Sequence, residues 1–513
     1  MKIRATLLGI LIVLPVVSSA QSDTLHISSM QEVYQQNSWL SGSNPVGLLF
    51  NRFNSVSVAE AGYSYSKGNL GKLSLPVSNN GYSVWSESFQ TLGKVALYGR
   101  LGYVQNKSKG QNWNGMTNDY WRAVNLCDSV SGKLSGETYN LVGAFSIPLN
   151  ERWSIGAQAD YQVQATAKDA DPRNKNQWSE WKLTPGLGFH SGKYIWGLSL
   201  LYADRKEDID YQNMGTHAVY SSFAAYPLSF FKTLSRDGMV KWDYSGHEVG
   251  GALQFGFDKR GLRLFQQFQG SISKQDIESN RIQNCKEGES NLWQINYLGK
   301  LEKRSSHYWH EWSLAISYGQ ADNYEPLQQQ AENEIWVSYG KVLRSTRNLG
   351  LCELTYEYRR MYDEWHPRFS LLSGISFHYQ ENALLFYPIK YLQPISRFTI
   401  HTTFGRSFLL QNAYLDCSLG GKYGIGGGSI MKEQKMVSNQ SMEEVKLWQS
   451  AARLQQDYDY ETSSRLSLYL TAAYTCKVPF CWFIRLSGEY QYSNKCRINE
   501  NNKNIITSIG LVF

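Results

Sequence analysis

Hydrophobic and polar residues alternate with a period of two along most of this chain, in runs of roughly ten to fifteen residues. In "YNLVGAFSIPLNERWSIGAQADYQV", Tyr139, Leu141, Gly143, Phe145 and Ile147 share one face. After a turn at Asn150-Glu151, Trp153, Ile155, Ala157, Ala159, Tyr161 and Val163 continue an apolar face, while Ser154, Gly156, Gln158, Asp160 and Gln162 take the other. Such alternation predicts strands with one dry face and one that tolerates water. It recurs in "KVALYGRLGY", "HEVGGALQFGF", "HYWHEWSLAISYG", "LCELTYEYRRMY" and "FCWFIRLSGEYQY". The ending "NIITSIGLVF" puts Phe513, Leu511, Ile509, Thr507 and Ile505 on one face and Val512, Gly510, Ser508 and Ile506 on the other. Soluble sheets favour strands nearer five or six residues. Longer strands that are apolar on alternate positions and carry aromatics predict an all-β fold, a single-chain transmembrane antiparallel β-barrel.

The connections point the same way. Short turns are predicted at 91–94, 149–152, 190–193, 258–261, 302–306, 345–350, 379–382 and 477–479. Longer polar segments lie between them at 107–135, 166–177, 205–240, 274–289, 321–331, 426–463 and 493–501. Short periplasmic turns alternating with long extracellular loops is barrel topology. The pattern predicts about twenty strands, within a range of 14–20, spanning residues 55–513. Residues 21–54 are expected to form a periplasmic or lumenal segment, in which Asn44-Pro45 and Gly47 read as a turn before the first strand. "SMEEVKLWQSAARLQQD" at 441–457 predicts a helix, with Ser441 and Glu444 at capping-box spacing and Val445, Trp448 and Ala452 on one face.

Composition narrows the medium. Lys2 and Arg4 precede an apolar run from Ala5 to Val17, and Ser18-Ser19-Ala20 supplies small residues, so 1–20 is expected to be a cleaved signal peptide. No later stretch approaches eighteen apolar residues, and mean hydropathy is −0.42, which excludes a helical membrane protein. The chain holds 34 Tyr and 16 Trp against 12 Pro, a composition suited to aromatic girdles at a membrane interface. The net charge of +7 is scattered along the chain, so nucleic acid is not an expected partner. Seven cysteines form no metal spacing, and the strand parity of Cys476 and Cys481 argues against a bridge between them.

Phe513, Leu511 and Ile509 resemble the C-terminal signal of outer-membrane barrels, which implies the barrel-assembly machinery as a partner and outer-membrane lipid as the surroundings. More loosely, "NSWLSGSNPVGLLF" and "KDADPRNKNQW" resemble an uncharacterised outer-membrane barrel family of unknown function from Gram-negative bacteria. That likeness implies association with TonB-dependent receptors in nutrient uptake. "NPVGL" is also similar to the "NPAGL" of FadL-type channels and of barrels linked to type IX secretion, with Val46 in place of the alanine.

No HExxH, GxSxG or phosphate loop is present, and no enzyme or cofactor is expected. His307 and His310 lie three apart on a predicted strand and so point to opposite faces. Arg100, Asp160, Glu353, Glu357, Arg359, Arg485 and Glu489 fall on the predicted inner face, as pore-lining candidates of both charge signs. The leading expectation is an outer-membrane channel or accessory uptake barrel for small compounds, without strong charge selectivity. Residues 21–54 are too few for the plug domain of a TonB-dependent receptor. The other expectation is a structural or assembly barrel that docks a surface lipoprotein, a TonB-dependent receptor or a secretion partner.

Overall fold

The computed structural model describes residues 30–35, 37–117, 122–214, 221–235, 240–279, 285–331, 336–362, 366–436, 447–476, 481–493 and 501–512. The signal-peptide expectation, Phe513 and the start of the expected helix at Ser441 lie outside them. Among the described residues, eighteen antiparallel strands close on themselves, and one short extra strand, Lys432–Lys435, adds to the rim. The seam joins Ser55–Gly68 to Asn501–Val512, with Val58 opposite Val512 and Ala61 opposite Ile509. Among the described residues, hairpin ends at the short-turn side are tight, as between Leu92 and Val95 and between Leu410 and Ala413.

The period-two pattern fixes which face meets lipid. Leu253 and Ile272 are 63% and 70% exposed, while Ser146, Ser154, Ser199 and Gln254 on the opposite parity are buried. The apolar sets read from sequence, including Leu141, Phe145, Trp153, Tyr161, Trp312, Leu354 and Leu486, all lie on the exposed side. Ile509 and Leu511 join them, whereas Val512 turns inward. Outward aromatic pairs such as Trp196 with Phe255, at 4.6 Å between centroids, and Trp312 with Tyr356, at 5.3 Å, sit at the belt.

Two predicted turns are strand. Residues 345–350 lie within Trp336–Met361, and 379–382 lie within Pro367–Phe386. The connections fall instead at 362–366 and 411–412. The polar runs were misleading because they mark where neighbouring strands leave the apolar belt together. Asn348 is in register with Glu381 and donates to it at 3.2 Å. The predicted loops 166–177, 274–289 and 321–331 are also largely strand, because pairing continues past the belt where no apolar face is required. Among the described residues the barrel count is therefore eighteen, two fewer than the central expectation and inside its range of 14–20.

The loop end is capped from within. Asn125–Cys127, Ser222–Ala225, Phe230–Ser235 and Trp448–Gln449 form a separate four-stranded sheet, so of the 205–240 segment residues 205–212 extend a barrel strand while 222–235 build a cap. Leu126 and Ala224 pack on inward-facing Ile209, Tyr211, Trp242 and Tyr244. At the other side Leu228 packs on Leu384 and on Leu454, with Phe230 against Tyr391 at 5.2 Å. The sheet thus reaches between separate walls of the mouth. Two helices accompany these elements: α1, Met30–Gln35, and α2, Ala451–Thr462. The helix α2 begins later than its sequence suggested. Ser450 caps it by accepting from the Arg453 amide, and Trp448 is already paired as strand opposite Phe231.

Cys476 stands opposite Trp482 and Cys481 opposite Val512. They are therefore not direct cross-strand partners.

Candidate functional site

Ahead of the first strand, two asparagines organise the chain. The Asn37 side chain accepts from the Trp39 amide at 3.1 Å and that of Asn44 from the Val46 amide at 3.0 Å. Each starts a short 3-10 turn, Ser38–Ser41 and Pro45–Phe50, and Pro45 supplies the fixed φ suited to a first helical position. The expected turn at Asn44-Pro45 is therefore real, but it belongs to a folded insert and not to a simple lead into the barrel.

The insert is held by strands from around the wall. Asn44 Nδ2 donates to the carbonyls of Leu187, at 3.1 Å, and Leu198, at 3.3 Å. The Ser43 amide donates to Gln267 at 2.9 Å, and the Ser38 hydroxyl to buried Glu302 at 2.6 Å. Trp39 meets Phe265 edge-on at 5.2 Å. These partners converge on one segment, which consequently lies inside the lumen at the short-turn end. Glycines hollow the wall to receive it. A Cβ at Gly186 would stand 2.1 Å from Asn44 Oδ1, one at Gly188 2.7 Å from Val46 Cγ1, and one at Gly256 2.6 Å from Trp39 Nε1. The helix α1 extends the plug. Its Tyr34 hydroxyl donates to Glu87, which also accepts from Tyr98 at 2.7 Å. Burial first, and then the Glu87 charge, push the Tyr34 phenol far above its ordinary pKa, so it remains a donor.

Beside α1 lies a chamber of about 440 Å³, lined by Gln31 and Glu32 of the plug and by Trp309, Glu357, Arg359 and Arg485 of the wall. Three of the seven predicted residues meet there. Arg359 grips Glu357 through two bonds, of 2.5 Å and 2.7 Å, and covers the Trp309 ring at 4.2 Å. Arg485 lies 3.5 Å from Glu60. The remaining four sit elsewhere on the inward face. Arg100 covers Trp85 at 4.4 Å, Asp160 accepts from Gln158 at 3.1 Å, and Glu353 and Glu489 stand in register with Ser376 and Tyr469. Glu353 and Glu357 do not act as a carboxylate pair, since Glu357 is engaged by Arg359. Sequence reasoning missed Ser38, Trp39 and Glu302, and read Asn44 only as part of a turn. The repeated spacing of an asparagine two residues before a capped amide was the available signal.

At the loop end, buried ion pairs fasten the cap. Arg122 meets Glu207 at 2.6 Å, and Glu207 also accepts from the Thr117 amide at 2.8 Å and from Asn176 at 3.0 Å. Lys168 meets Asp128 at 2.6 Å. Burial pushes the Asp128 carboxyl up from its ordinary range, against the pull of Lys168. His310 lies 2.9 Å from the Tyr356 hydroxyl and His307 sits in the adjoining turn, so the two histidines do not converge. Among the described residues, no group of three or more His, Cys, Asp or Glu is placed to hold a metal ion.

A model of a family of unknown function (DUF6850) matches residues 45–513. The chain belongs to that family. This agrees with the uncharacterised barrel family that the sequence resembled. No curated protein matches the chain. Among solved structures, the chain is similar to BauA, the ferric preacinetobactin receptor of Acinetobacter baumannii, at 8% identity over 90% of this chain and 80% of that one, with a TM-score of 0.42. It is similar to Acinetobacter baumannii OccAB2 at 9% identity, covering 90% and 97% of the two chains, with a TM-score of 0.35. A Pseudomonas aeruginosa FadL homologue gives 10% identity, 92% of each chain and a TM-score of 0.31. These likenesses are distant, and the fold rests on the strand pairing of the chain itself.

Proposed function

We propose that the chain is an outer-membrane channel or accessory uptake barrel for small compounds, stopped at rest by the insert at its short-turn end. The supporting observation is a polar, ion-paired lumen whose short-turn end is filled by a segment held only through non-covalent contacts in a recess hollowed by Gly186, Gly188 and Gly256. Eighteen strands enclose more space than wall side chains fill. Removing a segment of that kind opens a water-compatible path without unpairing a strand. The tight turns and the plug face the periplasm, and the cap faces outward. Arg359, Glu357 and Arg485 line the inner vestibule, with Arg100, Asp160, Glu353 and Glu489 elsewhere on the inward face. Ile509 and Leu511, in lipid, belong to the signal for the barrel-assembly machinery.

The test is conductance of the full chain in planar bilayers, beside a variant lacking residues 30–53. The deletion variant conducts steadily, and the intact chain conducts in rare steps. Silence of both refutes the channel. The second reading, a barrel that docks a TonB-dependent receptor or a surface lipoprotein, is favoured by one observation. The hairpin of Tyr308–Gln330 and Trp336–Met361 rises well past the belt and exposes Val337 and Tyr339. Silent barrels that co-purify with such a partner at fixed stoichiometry support that reading.

A further inference from the structure

Charges of both signs line the lumen and are unevenly placed. On one wall the charges are paired. Arg205 is held between Glu180 and Glu248, and Asp160 stands in register with Lys182. The wall nearly opposite, from Trp336–Met361 to Arg465–Cys476, is different. Arg347, His378, Arg397, His401, Lys422 and Arg465 share its inward parity. That parity is fixed by Gly426, two strand repeats above Lys422, where a Cβ would meet the Glu461 carbonyl of α2 at 2.6 Å inside the mouth. Leu419, Tyr423 and Ile425 on the other parity are exposed to lipid. His378 is in register with Arg397 and His401 with Lys422, while Arg465 stands opposite Gly424. The strip descends about 25 Å from the mouth, at roughly 3.3 Å per residue.

Carboxylates on this side are Glu353 beside the strip, Glu357 and Asp416 nearer the short-turn end, where Arg359 engages Glu357, and Asp457 and Glu461 of α2 at the mouth. Glu461 is held by Lys72 at 2.6 Å and approached by Arg465 at 3.9 Å. Arg397 is turned to α2, donating to the carbonyls of Tyr460 and Ser463 at 3.2 Å. Lys422 remains exposed at the foot of the strip. Its neighbours are small or neutral: Ser467 in register on the next strand, and the Tyr469 ring lying over Gly420. An ammonium there, with an imidazole directly across and a guanidinium on the next strand, suits an anionic group that enters from water.

We propose that this strip is an anion-binding surface centred on Lys422, with His401 and Arg465 beside it, for small solutes that carry a carboxylate or phosphate group. The proposal names a substrate class for the channel and rests on that reading. It also refines the expectation of weak selectivity, because the presence of both charge signs along the lumen conceals a locally basic wall.

The experiment is isothermal titration of the full chain in detergent at low ionic strength, with citrate and, separately, inorganic phosphate. Saturable binding of either probe is expected, and which one binds assigns the group. Lys422→Gln weakens it roughly tenfold or more, the scale of one charge-assisted hydrogen bond, and Lys422→Arg restores most of it. Lys182→Gln, on the paired wall, leaves it unchanged. Retained heat-modifiability on gels shows that each variant is folded. Absence of saturable binding to both probes overturns the proposal, as does equal weakening by Lys182→Gln. Binding without conductance sinks the channel and leaves the site; conductance without binding does the reverse.

Discussion

Gly186→Ala addresses the plug directly. The new Cβ would stand 2.1 Å from Asn44 Oδ1 and 2.9 Å from Pro45 Cδ, so the insert must retreat by about 1 Å or more to reach ordinary contact. Asn44 has no slack for that. It donates at 3.1 Å and 3.3 Å to two wall carbonyls and accepts at 3.0 Å from its own turn. Loss of these three bonds, at about 1 kcal/mol each, costs roughly 3 kcal/mol and falls on the plug alone. The strand itself gains slightly from alanine in place of glycine, by about 0.5–1 kcal/mol. The population with the plug released therefore rises about a hundredfold. Hydrogen exchange at the Val46 and Gly47 amides, the latter bonded to the Asn44 carbonyl at 2.9 Å, reads this directly. Gly99→Ala is the control, since no atom lies within 4 Å of its Cβ position. Unchanged exchange in Gly186→Ala would refute a plug seated by close fit.

Three further outcomes follow from the same geometry. Glu207→Ala strands the buried Arg122 guanidinium, a loss of about 3–5 kcal/mol, and speeds tryptic cleavage after Arg122 while the barrel stays heat-modifiable. Leu253→Arg, on the lipid belt, costs roughly 2–4 kcal/mol in urea unfolding, whereas Gln158→Arg on the inward face costs little. The seat of α2 responds to acid in two steps, read by amide exchange in the helix. Burial raises Asp457 above its ordinary 3.8, so its protonation relieves a penalty and protection first increases. Burial also pushes Glu461 up, but Lys72, Arg465 and Arg397 outweigh it and leave the carboxyl below 4.5. Its contribution is present above 4.5 and is lost as pH falls towards the lowered value, so protection then declines. A monotonic profile would contradict the assignment.

The barrel was legible because lipid imposes a strict alternation. Trp153, Ile155 and Tyr161 advertise one face over a full strand. Where the strands rise into water the constraint ends, and "STRNLG" and "YQEN" look like turns although they pair with each other across neighbouring strands. The helix near 450 was visible in composition, but its phase was not. Strand pairing with Phe231 takes Trp448, one residue of the expected apolar face, out of the helix, while Ser441 and Glu444 lie outside the described residues. The lumenal partners were hidden for a different reason. Ser38 and Glu302 are far apart in the chain, and neither carries a local signal of the other. Inner-face parity was readable for Glu357, Arg359 and Arg485, but their convergence on one chamber depends on barrel curvature and on α1.

The apolar cluster at the seam ties plugging to closure. Met30, Val33 and Phe53 of the insert pack on Val56 and Val58 of one seam strand, Val512 of the other, and Phe483 beside it. A barrel zipped shut before the insert is in place would leave this patch wet and the seam's inner surface without its filling. An insert without the final strands has half a socket. Seating the insert and pairing the last strand with the first therefore bury the same apolar surface, so each step stabilises the other. A displaced plug would accordingly weaken the contact between the first and last strands before any other part of the wall.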